Sequence, residues 1–117
     1  MLSARSRIFV GLVVGLALVP CLAWGQVTTA TLSGTVRDTQ GNVVPGALVV
    51  LTSDTRGVQV GETTTDARGA FIFPGTMPDT YTVKVSLEGF KTFKVSGLAV
   101  SAGDRLALPP LTIEVGT

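Results

Sequence analysis

Histidine is absent from this 117-residue sequence, and cysteine, tryptophan and tyrosine occur once each. Without histidine, and with its single cysteine in a leader segment, the chain cannot assemble the usual zinc sites, a Ser-His-Asp triad or a Cys-His pair. Charge is sparse too, at 15% of residues. The nine basic side chains are scattered rather than clustered, so nothing favours a nucleic-acid partner. Heptads, amphipathic helical periodicity and βαβ alternation are missing beyond the leader, which excludes helical bundles and doubly wound sheets. What the sequence does have is turn formers, with fourteen glycines and six prolines. That composition describes many short strands joined by tight turns within one small domain.

Residues 1–25 read as a signal peptide, which accounts for the expected N-terminal helix. Arg5 and Arg7 form a positive start, and Ile8 to Val19 is an uncharged apolar run of twelve residues. Pro20 breaks it. Ala23-Trp24-Gly25 then supplies the small-x-small pattern of signal peptidase, leaving Gln26 as the new N-terminus. The run is short of the roughly 20 residues that span a bilayer. Cys21 is preceded by Pro20 rather than by the small residue that lipidation favours, and it departs with the leader. The domain expected at 26–117 carries seven basic and eight acidic residues, a net charge of −1, and no cysteine or membrane-spanning segment.

Alternation places the strands. In Thr31–Asp38, Leu32, Gly34 and Val36 oppose Thr31, Ser33, Thr35 and Arg37; in Tyr81–Glu88, Tyr81, Val83, Val85 and Leu87 share one face. Ala47–Ser53 is apolar on both faces, as in mid-sandwich, and the Thr-rich run Val58–Thr65 is an edge candidate. Phe71 and Phe73 share a short strand that Gly69 opens and Pro74-Gly75 closes. Phe90–Val95 and Leu98–Val100 follow as separate strands, and Arg105–Val115 is interrupted by Pro109-Pro110. Turn signals around Asp38, Asp66, Asp79, Gly89 and Asp104 recur about every ten residues, a sandwich spacing. The expected core is Val36, Val49, Leu51, Phe71, Phe73, Tyr81, Val83, Val85, Phe93 and Leu111.

The segment ATLSGTVRDTQGNVVPGALVVL from Ala30 to Leu51, followed by TTTDARGAFIFPGTMPDTYTVKVSLEGFKTF from Thr63 to Phe93, resembles the carboxypeptidase regulatory-like domain. It is similar above all to the copy at the mature N-terminus of Oar-like TonB-dependent outer-membrane receptors. The resemblance implies an all-β, Ig-like or transthyretin-like (prealbumin-like) Greek-key sandwich of about seven strands, grouped with carbohydrate-binding-like folds. It also implies no catalysis and no cofactor, and a periplasmic or outer-membrane location in a Gram-negative bacterium. Receptors of this kind continue into a plug and a barrel, which these residues do not include, so no transport is expected of the sandwich itself. Two departures matter: the family's usual P-P-G-T-Y is here Met77-Pro78-Asp79-Thr80-Tyr81, and transthyretin-like hydrolases depend on histidines that this sequence lacks.

Candidate site residues follow from these readings. Asp38, Asp66 and Asp79 lie in turns, where capping of backbone N–H groups is a commoner role than acid/base work. No D-x-D-x-D spacing supports a metal. An internal Lys–Asn isopeptide crosslink lacks its parts, since the first strand carries Arg37 and the one asparagine, Asn42, sits in a turn. Contact with a protein partner in the periplasm or outer membrane is expected at the edge strand through Val58, Val60, Glu62, Thr63 and Thr64, by strand addition. The alternative is a carbohydrate-binding module using Phe90, Lys91 and Phe93. Mass spectrometry of the exported protein should find Gln26 at its N-terminus; an intact Met1 or an acylated Cys21 would overturn the leader assignment.

Overall fold

The computed structural model describes residues 28–116. The expected signal peptide and Gln26 lie outside the described residues. Eight strands form two sheets: β1 (Ala30–Asp38), β2 (Leu48–Ser53), β3 (Val58–Thr64), β4 (Ala70–Thr76), β5 (Asp79–Ser86), β6 (Phe93–Val100), β7 (Arg105–Ala107) and β8 (Leu111–Ile113). One sheet runs β4-β1-β7, with β8 also pairing with β1; the other runs β3-β2-β5-β6. The chain is all-β here, and among the described residues no helix is long and apolar enough to cross a membrane.

Alternation decides which side chains enter the space between the sheets. Leu32 and Val36 of β1, Val49 and Leu51 of β2, and Tyr81, Val83 and Val85 of β5 are buried, as are Phe71, Phe73, Leu111 and Ile113. Phe71 and Phe73 meet edge to face, with ring centroids 5.9 Å apart, a favoured aromatic geometry. The Tyr81 hydroxyl donates to the Met77 carbonyl at 2.5 Å, which satisfies the one polar atom of a large core side chain. Phe93, expected in the core, is instead half-buried at its margin. It opens β6, an edge strand with no neighbour on its outer side.

Several strand boundaries differ from the sequence reading by a residue or two, β5 starting at Asp79 rather than Tyr81 and ending at Ser86 rather than Glu88. Two larger differences arise from β-bulges. The strand of Phe71 and Phe73 does not close at Pro74-Gly75; it continues to Thr76. The register against β1 slips there, from Leu32↔Phe73 to Ala30↔Thr76, and Gly75 takes up the extra residue at φ 66°, a backbone that glycine adopts without a Cβ clash. Proline is tolerated because β4 is an edge. The two strands expected over Phe90–Val100 likewise merge into β6, whose register slips between Val95 and Leu98 at Gly97, φ 72°. Phe90 lies before that strand in an isolated bridge with Val115. Pro109-Pro110 does divide the last expected strand, into β7 and β8, both parallel to β1.

The two flanks of the sandwich are finished differently. On the β6/β8 side, Lys91 N donates to Glu114 O at 2.7 Å and Gly116 N to Gly89 O at 3.0 Å, so backbone bonds tie the sheets together. On the β3/β4 side the corresponding bond among the described residues is Asp66 N to Ala70 O at 2.9 Å, and it lies within the turn that joins the two strands at one end. Phe73 closes that side from within, and a Phe73→Ala variant should lose about 3 to 5 kcal/mol of unfolding free energy. Denaturant unfolding measures this; an unchanged midpoint would show that the ring does not bear on the core.

Candidate functional site

The open flank is where two edge strands from different sheets face each other. Between β3 and β4 lies a cleft of about 310 Å³ whose lining includes Leu51, Phe73 and Tyr81 from the core and Arg56 from the β2–β3 turn. Its rim is apolar: Val60 on β3, Ile72 on β4 and Met77 in the following turn are 41%, 55% and 57% exposed. The Phe73 ring reaches the cleft by lying on Gly61, where an added Cβ would come within 3.1 Å of it. Glycine at this point of β3 is thus a matter of space.

The bond pattern shows which backbone groups β3 leaves free. Thr65 N donates to Ala47 O at 2.9 Å, and on the far side of β2 Asp54 N donates to Thr80 O at 2.8 Å. Because antiparallel ladders alternate, odd residues around β2 bond towards β3 and even ones towards β5. Thr63, opposite Val49, and Gly61, opposite Leu51, therefore bond to β2, whereas Glu62 and Thr64 present their N–H and C=O groups outward. The register slips between Gly61 and Gln59, leaving Val60 as the bulged residue. Of the expected contact residues, Glu62 and Thr64 offer backbone, Val58 and Val60 offer exposed side chains, and Thr63 is bound into the ladder. The bulge confines the regular free edge to a few residues.

Ile72 and Met77 were not among the sequence candidates. Ile72 was legible in principle, as the apolar residue between Phe71 and Phe73 that alternation turns outward. Met77 gave no such signal.

Asp79 anchors the end of the cleft. Its carboxylate accepts from Ser53 Oγ at 2.6 Å, Thr55 Oγ1 at 2.8 Å and its neighbour Thr80 N at 2.7 Å. Arg56 Nε stands 3.9 Å away. The Ser53 hydroxyl above all, then Thr55 and the Thr80 N–H, hold this carboxyl below the ordinary aspartate range against the opposing effect of desolvation. Burial, reinforced by the Asp79 charge, pushes the Tyr81 phenol up. The departure from glycine at position 79 thus fastens the β2–β3 turn to the start of β5. Asp38 and Asp66 are also held low, chiefly by the backbone N–H groups of Asn42 and Ala70 respectively. Both are turn caps, as their positions implied. Among the described residues no group of three or more His, Cys, Asp or Glu side chains could hold a metal ion.

On the opposite flank, Phe90 and Phe93 are both half-buried against the core. Lys91 is exposed and lies 3.6 Å from Glu114. A hollow of about 250 Å³ beside Phe93 is lined by Lys91, Thr92 and Thr112 among others.

Two sheets of this order, packed face to face without a helix, define a transthyretin-like β-sandwich. The profile of the carboxypeptidase regulatory-like domain matches residues 31–114, and the chain belongs to that family. Among solved structures, a chain of a type II cohesin–X–dockerin complex from Acetivibrio cellulolyticus is similar at TM-score 0.60 and 20% identity, over 74% of this chain and 58% of that one. The chain therefore spans less than two thirds of that neighbour. A protein from Bacteroides uniformis described as carbohydrate-binding is similar at TM-score 0.58 and 19% identity, over 76% of this chain and 42% of that one. The 5-hydroxyisourate hydrolase of Klebsiella pneumoniae is similar at TM-score 0.53 and 19% identity, over 74% of this chain and 99% of that one. At these identities the likeness is one of fold. No curated protein matches the sequence.

The Asp79 contacts make a pH-dependent contribution with a defined sign. A carboxyl held low in the folded state adds stability above its unfolded value and loses it as pH falls through the folded value. An Asp79→Asn variant should therefore be less stable than wild type at pH 7, and the gap should shrink below about pH 4. Urea midpoints compared at pH 7 and pH 3 measure this; a gap that stays constant would show that the carboxylate charge plays no part.

Proposed function

We propose that this domain is an exported, non-enzymatic interaction module that engages a protein partner through the β3/β4 flank. In this reading it is the N-terminal periplasmic domain of a TonB-dependent outer-membrane receptor, or a truncated form of one. The observation that carries the interaction is the difference between the two flanks: one is tied by backbone bonds between segments distant in sequence, whereas the other, held at one end by the β3–β4 turn, is an apolar-rimmed cleft over core side chains. Exposed apolar side chains grouped around a concavity are a feature of interaction sites. The free Glu62 and Thr64 backbone beside it suits a short stretch of strand addition.

Several observations support a role without catalysis. The sequence lacks histidine, and the three aspartates held below the ordinary range are each engaged in structural hydrogen bonds. Enzymes do occur among the structural neighbours, the hydrolase included, and at 19% identity that likeness is one of fold alone. Export rests on the leader sequence and the receptor context on the resemblance.

Carbohydrate binding through Phe90, Lys91 and Phe93 is the second reading, favoured by the fold shared with the Bacteroides protein described as carbohydrate-binding. Its weakness is that both rings are half-buried, whereas stacking on a sugar needs an open face.

Site-specific photocrosslinking separates the two. A photoreactive residue at Ile72, in cells that export the full chain, should give an adduct that disappears with Val60→Glu and weakens with Thr64→Pro, a change that removes only an outward N–H. Both variants should keep the wild-type melting temperature within a few degrees. Binding on a glycan array that is lost with Phe90→Ala and retained in Val60→Glu would replace the flank reading with the carbohydrate one.

A further inference from the structure

The path of the chain through the first sheet carries a second property, independent of what occupies the flank. β1 enters beside β7, with Thr31 level with Arg105, and finishes beside β8, with Asp38 level with Ile113. Both pairings are parallel, three register pairs each. The chain therefore enters the sandwich at one end and leaves it at the other, roughly 20 to 25 Å away along the strands. The two segments through which any pull along the chain arrives are neighbours in one ladder.

We infer that the sandwich is a load-bearing link, with the β1–β7/β8 ladder as its clamp. A pull on the two ends drives β1 and β8 in opposite directions along their shared axis. Inter-strand bonds then lie across the load and must yield together. If the same strands are pulled apart from one end, the bonds open one after another. Forced unfolding is governed by the barrier to unfolding rather than by equilibrium stability, so the direction of loading sets the force.

Both ends of the clamp are fastened beyond the strands. At the entry, Thr31 N donates to Asp104 O at 2.8 Å and Gly103 N to Thr29 O at 3.0 Å. In the middle, Leu108 N donates to Ser33 O at 2.9 Å across the gap between β7 and β8. At the exit, the Lys91–Glu114 and Gly116–Gly89 bonds tie the departing segment to the second sheet, and the Phe90↔Val115 bridge lies between them. Load applied at Gly116 thus reaches both sheets. Beneath the clamp, Leu32, Val36, Leu111 and Ile113 are buried, so sliding β1 past β8 also drags core side chains out of their packing.

Single-molecule force spectroscopy on the full chain tests this. In one chain, Cys21→Ser, Thr28→Cys and Thr117→Cys place the handles on either side of the sandwich, which loads the ladder in shear. In a second chain, Cys21→Ser, Gln40→Cys and Thr117→Cys place both handles at the same end of β1 and β8, which peels the same ladder. Equal melting temperatures confirm that both chains are folded. The shear pull should rupture in one step at a several-fold higher force than the peel. A shear pull that ruptures at or below the peeling force, or that releases β8 in a separate early step, would overturn the proposal.

Discussion

The rest of the sandwich depends on β1, because every other strand of its sheet hydrogen-bonds to it: β4 on one side, β7 and β8 on the other. Its inward residues set the packing that follows. Leu32 and Val36 are fully buried. Between them Gly34 leaves the space that the Phe71 ring fills, where a Cβ would come within 2.6 Å of it. Phe71 in turn orients Phe73, Phe73 lies on Gly61, and that contact floors the cleft between β3 and β4. A change at the centre of the first sheet would therefore be felt at the far edge of the second, through rings in contact rather than through the backbone.

Much of the fold was legible because strand alternation is a local property. Leu32/Val36 and Tyr81/Val83/Val85 could be assigned inward from their own segments, and Asp38 and Asp66 could be recognised as caps from the turns that hold them. Register was not legible. A bulge adds one residue and resets the alternation, so Gly97 read as a strand boundary when it lies within β6, and Pro74-Gly75 read as an end when it is a bend. The half-burial of Phe93 follows from β6 being an edge, which depends on strand order rather than on the segment itself.

The candidate site was legible only in part for the same reason. The β3 edge could be named from its threonines and exposed valines, but its opposite wall belongs to another sheet and contributes Ile72 and Met77. Asp79 was read as a turn cap and as a departure from the family pattern, whereas it opens β5 and is held chiefly by side-chain hydroxyls. Its partners Ser53 and Thr55 lie more than twenty residues earlier, and nothing in the sequence announces that they meet. What they build is a fixed turn at the end of the cleft, which holds Arg56 beside it.

All of the edges are also interrupted. β3 carries the Val60 bulge, β4 the Pro74-Gly75 bulge, β6 the Gly97 bulge, and the β7/β8 side breaks at Pro109-Pro110. Long regular edges invite unwanted pairing between molecules, and bulges and prolines blunt them. The parallel pairing of β1 has a different consequence, in time rather than in space. Its partners β7 and β8 are the last strands of the domain in chain order, so β1 cannot complete its ladder until nearly the whole domain has been synthesised. Topologies closed by such distant contacts fold slowly.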